Sequence, residues 1–286
     1  MSDTAPKLTF FGKTQTACPI CEAGFFREEL LSGGGRLIAG ELTEDLHRTY
    51  EPSKRFGEVQ PLIYAVTVCP SCYYAVYPQD FGVVEDDAKA KLQKQSARRK
   101  EQAALLFPDL NFSEYRRLEE GAASYFLAVV CYEHFGKHFS PTMKRGLSAL
   151  RGAWLLESLH RKHYGENYDY LAALFYRKAR FFYMLAVELA QNGREPLDSS
   201  VHLGPDLDKN YGFEGFLYIT GLLEFRHGPR KDRERRIHSL ENARRIVAKL
   251  FGTGRVSKSR PSAILDKSRE LYDQMTQEIK KLQGEG

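Results

Sequence analysis

The chain has 286 residues and a mass of 32.7 kDa, with 42% hydrophobic residues, 28% charged residues, a formal net charge of +5 and a mean hydropathy of -0.46. This composition is typical of a soluble globular protein and excludes a largely disordered chain. No apolar run approaches the roughly 18 residues that cross a bilayer, and residues 1–6 are polar, so we predict a cytoplasmic protein without a signal peptide or membrane span.

The first eighty residues have the pattern of short strands and turns. Residues 8–11 predict a strand, and residues 32–35, which include three glycines, predict a flexible turn. Residues 60–68 are rich in β-branched and aromatic side chains and lead directly into Cys69, so they predict a second strand. We therefore predict a small β module over residues 1–84.

Two Cys-Pro-x-Cys pairs, Cys18 with Cys21 and Cys69 with Cys72, are the clearest chemical signal in this module. In a reducing cytosol such pairs are metal ligands or redox groups more often than disulfides. Two short loops can place four thiolates around one tetrahedral zinc ion, and this set leaves no open position for substrate or water. We therefore predict a structural zinc site. A thioredoxin-like redox pair is the alternative, but there are two pairs and neither begins a strong helix.

Other candidate ligands lie outside this pattern. His47 lies between the two pairs as a spare ligand or a neighbour of the metal, although four cysteines already complete the shell. Cys131 lies in an apolar run and is predicted to be a small buried side chain. Two histidine pairs lack the HExxH pattern of zinc hydrolases and are predicted at the surface or an interface: His134 with His138, and His160 with His163.

From about residue 85 the apolar period becomes helical. Ser113 is a candidate N-cap for the second helix, and residues 193–210 and 252–260 are predicted to be a loop and a flexible break. We therefore predict a helical domain over residues 85–286. Its helices are predicted over residues 85–106, 113–135, 168–191, 213–226, 233–251 and 261–282, with a further helix after Pro141.

One part of this helical region resembles a tetratricopeptide repeat. Thr220 and Gly221 occupy the usual Leu-Gly pair, and Gly228 follows where the first helix of a repeat often ends. Leu240 and Ala243 match the second helix, displaced by about three residues. The overall prediction is a mainly α protein: a zinc-ribbon-like small β module followed by a tetratricopeptide-like antiparallel helical array, with an ordinary helical bundle as the alternative.

The two cysteine pairs, with the segments 61–64 and 66–75, resemble the bacterial domain-of-unknown-function family numbered 2225. The resemblance implies a zinc module joined to tetratricopeptide-like helices, with Cys18, Cys21, Cys69 and Cys72 as metal ligands, and it implies no established activity. Loops of this type favour glycine directly after the second cysteine, where a positive φ is needed. Here Glu22 and Tyr73 occupy those positions.

The charge of the chain is concentrated at its C-terminal end, where residues 226–286 contain 16 basic and 8 acidic residues. A basic surface can attract phosphates, although a solvated helix face has the same composition. No phosphate-binding loop or nucleophile elbow is present. We expect a non-enzymatic scaffold that binds a protein or peptide partner on its helical surface. The alternatives are a nucleic-acid-binding protein that uses the zinc ribbon and the basic C-terminal helices, and an enzyme with a site between helices.

Overall fold

The computed structural model describes residues 7–31, 33–197, 204–209, 211–252 and 262–284. Within this part, three two-stranded antiparallel hairpins come first and eight α-helices follow, joined by short 3-10 turns. Each hairpin pairs strands that are consecutive in the chain. The strands are β1 (Thr9–Ala17), β2 (Gly24–Leu30), β3 (Ile38–Leu42), β4 (Arg48–Glu51), β5 (Thr67–Val68) and β6 (Ala75–Val76).

The helices pack in chain order, each against its neighbours. The most extensive contact is between α4 and α5, α3 also packs against α4, and α6, α7 and α8 pack on one another. None of the described helices is long and apolar enough to cross a membrane. The helices are α1 (Asp86–Lys94), α2 (Ser96–Leu106), α3 (Leu118–Cys131), α4 (Pro141–Lys162), α5 (Tyr168–Gln191), α6 (Gly212–His227), α7 (Arg233–Gly252) and α8 (Ser262–Gln283).

Two glycines allow the close approach of these helices. A Cβ atom at Gly152 of α4 would lie 2.7 Å from the Phe175 ring of α5, a distance that real Cβ contacts do not show. A Cβ atom at Gly221 of α6 would collide with Val247 of α7. The small residues therefore set the distance between these helix pairs.

The hairpins and the helices share one hydrophobic core, which runs from Cys18 to Ile279. Buried polar contacts also join the 3-10 turns Pro61–Tyr64 and Pro78–Asp80 to the helices. The Tyr125 hydroxyl of α3 donates to the Leu62 carbonyl at 2.8 Å, and the Lys144 ammonium of α4 lies 2.8 Å from the Asp80 carboxylate. Because a lone buried charge is costly, this Lys–Asp pair favours one relative placement of its two segments.

The predicted fold class is confirmed: the protein is mainly helical, with a small N-terminal antiparallel strand region that carries the cysteine cluster. The predicted strand over residues 8–11 is the start of β1, and the long predicted helix over 168–191 is α5. The tetratricopeptide-like arrangement and the boundary between residues 84 and 85 stay predictions. Ser32 and residues 253–260 of the predicted turn and break lie outside the described residues.

Three predicted elements are wrong. Residues 60–68 are not one strand, because Pro61 opens a 3-10 turn (Pro61–Tyr64) and only Thr67–Val68 is extended. The predicted helix over 85–106 breaks at Gln95 into α1 and α2. Ser113 does not cap α3, since that helix begins after Arg117, whose backbone N–H donates to the Glu120 carboxylate at 3.0 Å.

Candidate metal centre

Each Cys-Pro-x-Cys sequence forms the turn of a hairpin, the first between β1 and β2 and the second between β5 and β6. The two loops, hereafter the first and second knuckles, have the same backbone hydrogen bonds. In the first, the Glu22 N–H donates to the Cys18 carbonyl at 2.9 Å. In the second, the Tyr73 N–H donates to the Cys69 carbonyl, also at 2.9 Å. The short motif therefore dictates the same local turn at two distant points in the chain.

Both knuckles contain a residue with positive φ directly after the second cysteine. Glu22 has a φ of 64° and Tyr73 a φ of 57°. This left-handed conformation is the one that glycine adopts without strain, and a side chain makes it less favourable. The absence of glycine thus leaves the turn intact, and each knuckle retains a locally unfavourable residue.

The four cysteine sulfurs come together between the knuckles, all within 4.8 Å of one another. The Sγ atoms of Cys18 and Cys72 are 3.7 Å apart, and those of Cys21 and Cys69 are 3.6 Å apart. A tetrahedral ion with Zn–S bonds of about 2.3 Å requires sulfur atoms about 3.8 Å apart. The spacing and the donor set therefore fit one ion of the size and preference of zinc.

The two other candidate metal ligands, Cys131 and His47, lie outside this cluster. Cys131 is buried, its Sγ accepts a hydrogen bond from the Ala75 N–H at 3.4 Å, and burial raises its pKa to about 11. The His47 ring stacks on Trp154, with centroids 4.2 Å apart and planes 4° from parallel. Among the described residues, the four cysteines are the only group of His, Cys, Asp or Glu close enough to share an ion.

The metal-free cluster cannot easily hold four negative charges. Hydrogen bonds to Cys18 and Cys69, together with burial, hold the pKa of Cys72 well above its usual range. Hydrogen bonds from Cys18 and Cys72 hold the pKa of Cys69 well below its usual range. A bound divalent cation supplies the positive charge that allows the remaining thiols to ionise.

Helices α1 and α2 hold both knuckles through side-chain hydrogen bonds, a contact that the sequence did not indicate. Arg99, only 1% exposed, donates from one guanidinium nitrogen to the Cys72 carbonyl at 3.0 Å and from the other to the Leu92 carbonyl at 2.6 Å. Gln93 donates from Nε2 to the Ile20 carbonyl of the first knuckle at 2.8 Å. The break at Gln95 lets one short helix pair reach both loops. In the sequence, Arg99 is one of several charges on a polar helix, and nothing distinguishes it from its exposed neighbours.

Of the predicted surface histidines, His134 lies at this same break, where its Nε2 is 3.0 Å from the Gln95 Oε1. His138 and His163 are near the carboxylates of Glu85 and Glu119. None of these side chains joins the sulfur cluster.

Comparison with known proteins places the chain in a bacterial group. The model of the family described as uncharacterized proteins conserved in bacteria (DUF2225) matches residues 11–275. An uncharacterized protein of Borreliella burgdorferi is 41% identical over 276 residues, which cover 96% of this chain and 99% of that protein. No solved structure matches the chain.

Proposed function

We propose that this chain, which belongs to the DUF2225 family of bacterial proteins, is a non-enzymatic protein-interaction scaffold held by a structural zinc ion. The observation that carries the metal proposal is the closed set of four sulfurs on two matching knuckles. Four thiolates fill a tetrahedral shell, so the ion contributes folding energy and has no position for substrate. A cytoplasmic location agrees with this role, because thiols remain reduced there.

The outer face of α5 supports the interaction part of the proposal. Tyr170 is 61% exposed and Phe181 is 56% exposed. The two lie eleven residues apart, which is about three helical turns, so both lie on one face with the exposed Arg177 between them. Exposed aromatic side chains beside an arginine are the composition of interaction hot spots. We propose that a protein or peptide binds this α5 face.

Two measurements test the proposal separately. Native mass spectrometry of the full chain is expected to show one zinc ion, and Cys69→Ser is expected to remove it. An affinity capture from the native cytosol is expected to recover a partner that the Tyr170→Ser, Phe181→Ser double variant loses. Tyr115→Ser, at an aromatic side chain 54% exposed before α3, is the matched control. Equal recovery by both variants would exclude the α5 face.

Nucleic-acid binding is the second candidate, favoured by the basic face of α7. Arg235, Arg245 and Lys249 are exposed and share one side of the helix. The basic surface is smaller than the sequence indicates, because Arg236 is buried and lies 2.7 Å from Glu278 of α8. Binding through phosphates weakens steeply with salt. If the chain does not bind RNA or DNA at about 50 mM salt, this candidate fails.

A further inference from the structure

The turn that joins β3 to β4, residues 43–47, is inserted between helices α4 and α6. Leu46 at the centre of this turn, hereafter the hairpin tip, is fully buried and belongs to the shared core. A Cβ atom at Gly215 of α6 would lie 3.6 Å from the Leu46 Cδ1 atom, which is an ordinary van der Waals distance. The leucine side chain therefore lies against the first turn of α6. The space that the tip fills, hereafter the α4–α6 cleft, is lined by Trp154, Gly215, Tyr218 and Arg226.

Three polar contacts also hold the hairpin tip in the cleft. The Asp45 carboxylate accepts a hydrogen bond from the Nε1 atom of Trp154 in α4 at 2.5 Å. The Tyr218 hydroxyl of α6 donates to the Glu44 carbonyl at 2.8 Å. The Glu44 carboxylate forms an ion pair with Arg226 of α6. The tip thus has the contacts of a bound acidic peptide: one buried apolar anchor, one main-chain carbonyl and two carboxylates.

The rest of the hairpin gives its tip little support. None of the residues of β3 or β4 is buried, and no third strand extends this sheet in the described part of the chain. An isolated two-stranded hairpin is at best marginally stable in water. A cavity of about 180 Å³ lies beside β4, and its walls include Ser158 and Arg161 of α4. Apart from the ion pair of Arg48 with Asp208, the hairpin therefore depends on the contacts of its tip.

The bound tip also has two local costs. Leu46 has a φ of 61°, a left-handed conformation that is uncommon for residues other than glycine, asparagine and aspartate. The Asp45 carboxylate is near Glu157 of α4, whose pKa is raised by burial and then by this second negative charge. A segment that makes the same contacts at a lower cost can therefore displace the tip, because a ligand shifts such an equilibrium by its difference in affinity.

We propose that the hairpin tip is a displaceable internal ligand, and that the α4–α6 cleft binds an acidic segment of a partner protein in its place. The partner segment has a leucine in the position of Leu46. Acidic residues before this leucine pair with Arg226 and accept from the Trp154 Nε1 atom. While the partner is absent, the tip closes the cleft. Neither the metal nor the α5 face is needed for this binding.

Trp154 is the only tryptophan of the chain and therefore reports on the hairpin tip. The indole is 3% exposed, and the His47 ring covers it with centroids 4.2 Å apart. The double variant Asp45→Ala, Leu46→Ala removes a carboxylate and the apolar anchor, so it should release the tip. The fluorescence of Trp154 is then expected to shift to longer wavelength, and its quenching by acrylamide to increase, because water reaches the indole. Ile38→Ala with Glu41→Ala, a matched loss at exposed positions of β3, is the control and should change neither property.

A peptide with the sequence of the tip, acetyl-Thr-Glu-Asp-Leu-His-amide, tests the cleft itself. It should bind the Asp45→Ala, Leu46→Ala chain at least about tenfold more tightly than the unaltered chain, in which the tip already occupies the cleft. Its binding should return the emission of Trp154 to shorter wavelength. The reversed peptide has the same composition and charge and should not bind. Adding Arg226→Gln to the double variant should weaken the tip peptide about fivefold, because contacts with a charged group are the stronger ones.

Asp45→Ala alone keeps the leucine in the core, so it repeats the test in a chain whose apolar packing is intact. The tip peptide should then bind several-fold more tightly than to the unaltered chain. Equal affinity for the unaltered and the altered chains, equal binding of the reversed peptide, or no saturable binding below about 10 mM would each overturn the proposal. A dimer of the unaltered chain that the double variant cannot form would also overturn it, since the cleft would then hold the tip of a second copy.

Discussion

The two knuckles have the same turn but very different surroundings. In the second, Cys69 and Cys72 are 0% and 3% exposed, and Tyr74 and Val76 beside them are fully buried. In the first, Cys21 is exposed at the tip of the β1–β2 hairpin. The backbone hydrogen bonds are nevertheless equivalent. The local sequence therefore determines the shape of each loop, whereas tertiary packing determines which sulfur water can reach.

Replacing one cysteine in each knuckle should separate the contribution of the metal-binding loop from that of tertiary packing. The second knuckle should show the largest decrease in melting temperature. Cys69→Ser and Cys21→Ser should both lose the zinc ion, because three thiolates bind it far less tightly than four. Cys69→Ser also places a hydroxyl in the core and should lower the melting temperature further. Circular dichroism should show that both variants retain their helices at room temperature. Identical melting temperatures would mean that burial of the knuckle adds nothing to its stability.

Removing the Arg99 side chain, which links α2 to the second knuckle, should have the next largest effect on stability. Arg99→Met leaves the buried carbonyls of Cys72 and Leu92 without their donors. It should lower the free energy of unfolding by about 2–3 kcal/mol. Chemical denaturation measures this cost, and competition with a coloured chelator should show faster release of the metal. Arg98→Met, an equal change at the exposed neighbouring position, is the control. If Arg99→Met and Arg98→Met lower the stability and the metal retention equally, the Arg99 hydrogen bonds do not stabilise the site.

Glycine in place of the residue with positive φ, Glu22 or Tyr73, should change the stability of the protein in opposite directions. Tyr73→Gly removes a ring that packs edge-on against Phe112 at 5.1 Å, so a net loss of about 2 kcal/mol is expected. Glu22 is exposed, and Glu22→Gly should stabilise the protein by about 0.5 kcal/mol, because it relieves the positive φ without losing a buried contact. Denaturant titration of both variants measures the difference. A stabilising Tyr73→Gly would show that backbone strain outweighs packing there.

The smallest expected effect concerns the hydrogen bond from Gln93 of α1 to the first knuckle. Gln93→Ala removes the hydrogen bond to the Ile20 carbonyl. This should lower the free energy of unfolding by about 1 kcal/mol. Hydrogen exchange should then increase at the amides of the first knuckle while those of the second remain protected. Uniform exchange across both knuckles would indicate that α1–α2 holds them as one unit.

The sequence was informative where structure is determined locally. The four cysteines and the positions that require positive φ follow from a short motif, and α5 follows from its apolar period, because these patterns depend only on nearby residues. The 3-10 turn was missed although Pro61 at its start is a local signal, and the break at Gln95 was missed because no proline or glycine marks it. Arg99 could not be recognised, because burial of a charged side chain depends on segments that pack on it from elsewhere in the chain.

The sulfurs of Cys21 and Cys69 are neighbours in space although they are 48 positions apart in the chain. Bringing such distant points together in an unfolded chain costs about 3 kcal/mol of loop-closure entropy. Here the shared core, Arg99 and Gln93 hold the two loops together, so contacts within the protein offset part of this cost. We therefore expect that loss of the proposed ion leaves most of the helices folded, unlike a small zinc finger, which collapses only around its metal.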